Sequence, residues 1–107
     1  MNNKILFKAK GGLRAGISYW FASNETWPFA VIEIFRRKLI INSSAHKINL
    51  KKNEIKYIKE YHGLLGFLGH GIRIYHKKSK IPPFIVFWSY SVDELLNELK
   101  KAGYLVK

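Results

Sequence analysis

Through the first 90 residues the apolar positions recur with the period of a strand, and only after residue 90 do they take the spacing of a helix. The run after Pro28 shows the first pattern clearly. Ala30, Ile32 and Ile34 make one face, and Phe29, Val31, Glu33 and Phe35 make the other, with the β-branched and aromatic bias of strands. Arg36-Arg37-Lys38 reads as a charged turn and Leu39-Ile40-Ile41 as the returning strand. Asn42-Ser43-Ser44 is a loop, residues 46–50 alternate with Lys47 and Asn49 on the wet side, and Lys51-Lys52-Asn53 is a further turn. Residues 54–61 form a strand whose alternation slips between Ile55 and Ile58, the mark of a bulge or strong twist. Residues 72–76 alternate again, residues 77–83 form a basic loop, and Phe84-Ile85-Val86-Phe87-Trp88 is apolar throughout, as in a strand buried on both faces. Near the N-terminus, residues 5–7 and 17–21 are strand-like and are separated by Gly11-Gly12 and Gly16.

Residues 91–102 predict the one helix. Val92, Leu95, Leu96 and Leu99 fall at i, i+3, i+4 and i+7, a single apolar stripe. Ser91 and Glu94 have the spacing of a capping box, Tyr90 and Leu95 that of a hydrophobic staple. Asp93 and Glu94 open the helix, Lys100 and Lys101 close it, as its dipole prefers, and Gly103 suits the residue after its end. About seven strands with short connections, followed by one helix and without βαβ alternation, predict a mainly β, mostly antiparallel sheet curling around one core. The helix buries its leucines at an open end. One domain spans residues 1–107, since this length has no room for a second core.

This order and spacing resembles the pleckstrin-homology-like (PH-like) superfold, specifically the small PH-like proteins of bacteria. The resemblance rests on residues 28–42 as strands two and three and residues 46–50 and 54–61 as strands four and five. Residues 71–77 and 82–88 supply strands six and seven, and residues 91–103 the closing helix, so it covers the chain from about residue 17. It implies a seven-stranded orthogonal sandwich, or partly open barrel, capped by the helix. It also implies binding rather than catalysis, with partners ranging from phosphoinositides to proteins and self-assembly. Phosphoinositide-binding members place bases around the loop between strands one and two. Here that loop reads Ala22-Ser23-Asn24-Glu25-Thr26-Trp27-Pro28, with one acid and no base, so its side chains cannot supply the converging donors a phosphate needs.

Composition supports a packed globule, with 48% hydrophobic and 15% aromatic residues, both too high for a disordered chain. The absence of cysteine excludes disulfides and thiolate metal sites. The apolar run near the start, Ile5 to Phe7, is too short for a signal-peptide core, and a cytoplasmic location is expected. The formal charge is +12. Residues 91–107 balance Lys100, Lys101 and Lys107 against Asp93, Glu94 and Glu98, so the basic excess belongs to the strands and their turns. Such an excess favours anionic partners, or serves only to keep the surface solvated.

Two candidate surfaces follow. The first is the set of basic turns, Arg36, Arg37 and Lys38, then Lys51 and Lys52, then Lys77, Lys78 and Lys80. Where two of them converge, they would bind an anionic membrane surface or, as a weaker expectation, nucleic acid. Solvated turns that guard strand edges are the plainer reading. The second is the connection across residues 61–71, whose four glycines surround Leu64, Leu65, Phe67 and Leu68. Exposed, this quartet would contact a protein partner or a second copy, and folded under the sheet it would join the core. The aromatics Tyr19, Trp20, Phe21, Trp27, Tyr57, Tyr61, Trp88 and Tyr90 could stack on unpaired bases, though most aromatics in a small sheet are packing. His46, His62, His70 and His76 show no zinc spacing, and no nucleophile elbow, P-loop or paired carboxylates appear. No metal, cofactor or enzymatic activity is therefore expected. The reading is a binding or assembly module for a protein partner or itself, with an anionic surface as the alternative.

Overall fold

A computed structural model describes residues 4–18, 20–63 and 69–107. Seven antiparallel strands form one sheet: β1 (Phe7–Gly16), β2 (Ala22–Ile34), β3 (Lys38–Asn42), β4 (Lys47–Lys51), β5 (Ile55–His62), β6 (His70–His76) and β7 (Phe84–Trp88). Helix α1 (Val92–Lys101) follows. The order across the sheet is β4-β3-β2-β1-β7-β6-β5, so the chain runs outward from β1 on one side and returns to it through β7. The sheet curls into a half-barrel. Its inner face carries Leu13, Ile32, Ile34, Leu39, Ile41, Ile48, Leu50, Ile58, Ile72, Ile74, Ile85 and Phe87, all buried. Val92, Leu95 and Leu99 of α1 close the same core, as their stripe requires. Seven strands and a C-terminal helix are thus the observed architecture, and the topology is consistent with a PH-like fold.

Strands two to seven follow the alternation in the sequence. The inward faces of β2, β3 and β4 are the alternate apolar positions, and the slip in β5 is a register shift between Ile55 and Tyr57. β7 is buried from Phe84 to Phe87, on both faces. On its outer side the Arg73 guanidinium lies 4.7 Å from the Phe84 ring and 4.3 Å from Tyr75, Tyr57 stacks on Tyr75 at 4.4 Å, and Tyr61 packs against Phe84 and Trp88 at 6.0 Å.

The start of the chain departs from expectation. The first strand is not residues 17–21 but Phe7–Gly16, running through Gly11-Gly12, and residues 17, 18, 20 and 21 lie in the β1–β2 turn, with Tyr19 outside the described residues. The segment 22–28, expected as a loop, belongs to β2. The glycines mark close approach rather than a break. Gly11 pairs with Ala30 and Leu13 with Glu25, so residues 26–29 bulge opposite Gly12 alone. A Cβ on Gly12 would stand 2.6 Å from the Glu25 carbonyl oxygen. The Trp27–Pro28 peptide in this bulge is cis.

The ends of α1 also differ from the predicted caps. Ser91 occupies the N-cap position, but its side chain makes no capping bond, and instead the Ser91 N–H donates to Ser89 Oγ at 3.0 Å. Tyr90 is 84% exposed and packs edge-on against Trp27 at 5.5 Å, away from the staple position beside Leu95. Gly103, at φ 90°, ends the helix as expected. Beyond it the chain turns back. The buried Tyr104 hydroxyl donates to the Phe35 carbonyl at 2.8 Å, and Val106 forms a parallel bridge with Ile58. Among the described residues no helix is long and apolar enough to cross a membrane.

Candidate functional site

Two of the three basic turns converge. Lys38 and Lys51 face each other across the β3–β4 ladder, and the Lys52 N–H donates to the Arg37 carbonyl at 2.7 Å. Arg36, Arg37, Lys38, Lys51 and Lys52 therefore share one end of the sheet. Lys38 Nζ lies over the Phe35 ring, 5.1 Å from its centroid. Lys52 itself is drawn into the structure. Its Nζ donates to the Ala102 carbonyl at 2.6 Å, at the end of α1, and lies 4.8 Å from the Tyr104 ring. Burial, then the charges of Arg36 and Arg37, push its pKa below the ordinary lysine value.

The third turn stands beside this group but is separated from it by an acid. Glu54 accepts from the Lys51 N–H at 2.8 Å, and Lys78 Nζ lies 3.8 Å from the same carboxylate and donates to the Asn49 carbonyl at 3.3 Å. The Lys77 N–H donates to the Glu54 carbonyl, and the side chains of Lys77 and Lys80 are exposed. Lys78 is thus a structural tie, while Arg36, Arg37 and Lys51 project into solvent.

The expected apolar patch, Leu64, Leu65, Phe67 and Leu68, lies outside the described residues. Its base is clear: β5 and β6 pair up to His62 and His70, and the Gly63 N–H donates to the Gly69 carbonyl at 3.0 Å.

A different apolar surface is present, one the sequence reading divided among separate segments. Ile17, Trp20 and Phe21 project from the β1–β2 turn, with Trp20 and Phe21 69% and 75% exposed. Trp27 and Phe29 project from the bulge of β2, and Tyr90 leans on Trp27 from the β7–α1 connection. Tyr57, Tyr61 and Trp88 are less exposed, and their rings lie against Tyr75, Phe84 and each other. The observed β1–β2 connection, residues 17–21, contains no base, but β1 itself carries Lys8, Lys10 and Arg14, which the expected first strand did not. The turn with Trp20 and Phe21 and the turn with Arg36 and Arg37 stand at opposite ends of β2. The apolar and basic surfaces are therefore separate.

The third feature is a cluster no linear spacing reveals. His62 and His70 are cross-strand partners, their rings stacked at 4.5 Å and 8°. Both Nε2 atoms approach Glu60 Oε2, at 3.6 Å for His62 and 2.5 Å for His70. Seven residues of sequence part the two histidines, and only the hairpin register brings them together.

No family model matches this chain, and no curated protein matches it. Among solved structures it is similar to the C-terminal domain of an unknown protein from Leishmania infantum, with a TM-score of 0.61 and 15% identity, over 92% of this chain and 83% of that one. At that identity the likeness concerns the fold alone.

Proposed function

We propose that this chain is a non-catalytic module of the bacterial PH-like type, and that it makes a protein contact, with a second copy of itself as the first candidate partner. One observation carries this reading. Trp20, Phe21, Trp27, Phe29 and Tyr90 stand exposed on one hairpin and its neighbouring connection, whereas Phe35, Phe84, Phe87 and Tyr104 are buried. Aromatic side chains give large contact area at small entropic cost, and a contiguous exposed group of them marks an interaction surface. Strand addition is the less suitable route. The free edge of the sheet, β4, presents exposed Lys47, Asn49 and Lys51, residues that discourage edge pairing. On the same hairpin, Glu25 is engaged in architecture with the β3–β4 turn, which favours binding over catalysis.

Size-exclusion chromatography with light scattering tests the contact. The wild type is expected to rise above its monomer mass of 12.5 kDa with concentration, and the Phe21→Asp/Phe29→Asp variant to remain at it. A wild type that stays monomeric at every concentration removes the second copy as partner.

A second reading has its own observation, the facing lysines 38 and 51 with Arg36 and Arg37 beside them. That end of the sheet would take an anionic membrane surface or nucleic acid through several charge-assisted contacts.

A further inference from the structure

We propose that Glu60, His62 and His70 form a binding site for a divalent transition-metal ion of the zinc class. The three side chains come from the paired ends of β5 and β6, and their ligand atoms all lie within 4.8 Å of one another. Two imidazole nitrogens and one carboxylate oxygen are the donors such ions prefer. Zinc holds nitrogen and oxygen ligands at about 2.0–2.2 Å, which puts tetrahedral ligand atoms about 3.4 Å apart. The His62–Glu60 separation of 3.6 Å already meets this, and the His70–Glu60 hydrogen bond of 2.5 Å would open by about 1 Å on side-chain rotation. A fourth position would face solvent and take water.

The arrangement is hard to account for as an ion pair alone. His70 already makes a hydrogen bond with Glu60 Oε2. The second ring is nevertheless stacked face to face on the first, its Nε2 aimed at the same oxygen. Protonating both would set two like charges in contact. Leaving both neutral puts two imidazole lone pairs and a carboxylate within 4.8 Å of one another, and rotation of one ring out of the stack would converge them on one ion. The hairpin holds these atoms in place, because the β5–β6 ladder and the Gly63–Gly69 hydrogen bond close on the histidine pair. Across an open groove, α1 faces Glu60 with Asp93, Glu94 and Lys100. Its two carboxylates favour a cation there, and its lysine opposes it.

Titration of the whole chain with ZnCl2, followed by calorimetry, tests the site. At about pH 7.5 one ion per chain is expected, and at about pH 5.5 affinity falls because protons compete for both imidazoles. His62→Ala, His70→Ala and Glu60→Gln should each weaken binding by about tenfold or more, with circular dichroism showing the fold intact. His46→Ala, remote from the cluster, should leave the affinity unchanged. Added Co2+ should develop the visible absorption of a nitrogen- and oxygen-ligated ion in the wild type, and lose it in the His62→Ala/His70→Ala variant. Absence of saturable Zn2+ binding overturns the proposal. So does a double variant that binds as tightly as the wild type, or a His46→Ala variant that loses as much.

Discussion

Glu25 shows how one side chain can change the reading of a whole segment. It lies where the local sequence, Ser23-Asn24-Glu25-Thr26, looks like loop, yet its carboxylate accepts from the Ser44 N–H at 3.1 Å, from the Ser44 hydroxyl, and from the Ala45 N–H at 3.5 Å. It thereby ties β2 to the β3–β4 turn. The Ser43 hydroxyl first, then that of Ser44, hold its carboxyl below the ordinary 4.5. Because the folded state binds this proton more weakly than the unfolded state, the contribution to stability is present above about pH 4.5 and lost as pH falls through the folded value. Glu25→Gln should flatten the acid side of a melting-temperature profile below about pH 5. Parallel acid limbs in wild type and variant would show that this carboxylate is not responsible. Tyr104 makes a similar long-range tie. Burial pushes its hydroxyl pKa up, and its bond to the Phe35 carbonyl anchors the chain end against β2.

At the scale of elements, alternation sufficed wherever a strand had one face on the core. β2 from Ala30, then β3, β4, β6 and β7 stand where their apolar positions placed them, and the bulge in β5 appears at the expected slip. β1 was hidden because Gly11, Gly12 and Gly16 lack the side chains that make a pattern, and because what they approach, the β7 and β2 backbones, is distant in sequence. Helix α1 was legible from its stripe and starts after Ser91 as expected, but the Ser91 side chain makes no capping bond. Local spacing nominates Ser91, whereas the approach from β7 directs Ser89 to the exposed N–H. Ser91→Ala should therefore change stability by less than about 0.5 kcal/mol, and Ser89→Ala should cost about 0.5–1 kcal/mol. Chemical denaturation of the two variants decides between them, and a larger loss for Ser91→Ala would restore the capping box. The Lys52 contact with Ala102 at the other end of α1 joins residues fifty apart, beyond any local rule.

For the molecule as a whole, the +12 charge is a bulk property that becomes a surface only through the sheet order. β3 and β4 bring Arg36, Arg37, Lys38 and Lys51 to one end, while Trp20 and Phe21 lie beyond the other end of β2 and Trp27 and Phe29 along it. If the basic end engages an anionic partner, binding to vesicles containing phosphatidylserine, or to a single-stranded oligonucleotide, should fall steeply as salt rises from about 0.05 to about 0.2 M. Arg36→Ala/Arg37→Ala should weaken it and make the salt dependence shallower, and Phe21→Asp/Phe29→Asp should leave it unchanged. No binding to either at low salt would leave this charge with the role of solvation.

The single helix, the later strands, the mainly β class and the basic character of the strands were all written in local order, because period, caps and charge act over a few residues. The likeness to PH-like proteins followed from that order too. What only the tertiary structure decided involves partners far apart along the chain. β1 is a strand because two backbones close on its glycines, and residues 17, 18, 20 and 21 lie in a turn because β1 and β2 pair around them. Trp27 and Tyr90, far apart in sequence, become neighbours through the β2 bulge. His62 and His70 look unrelated in sequence and become neighbours through register, the one property that a strand cannot specify without its partner.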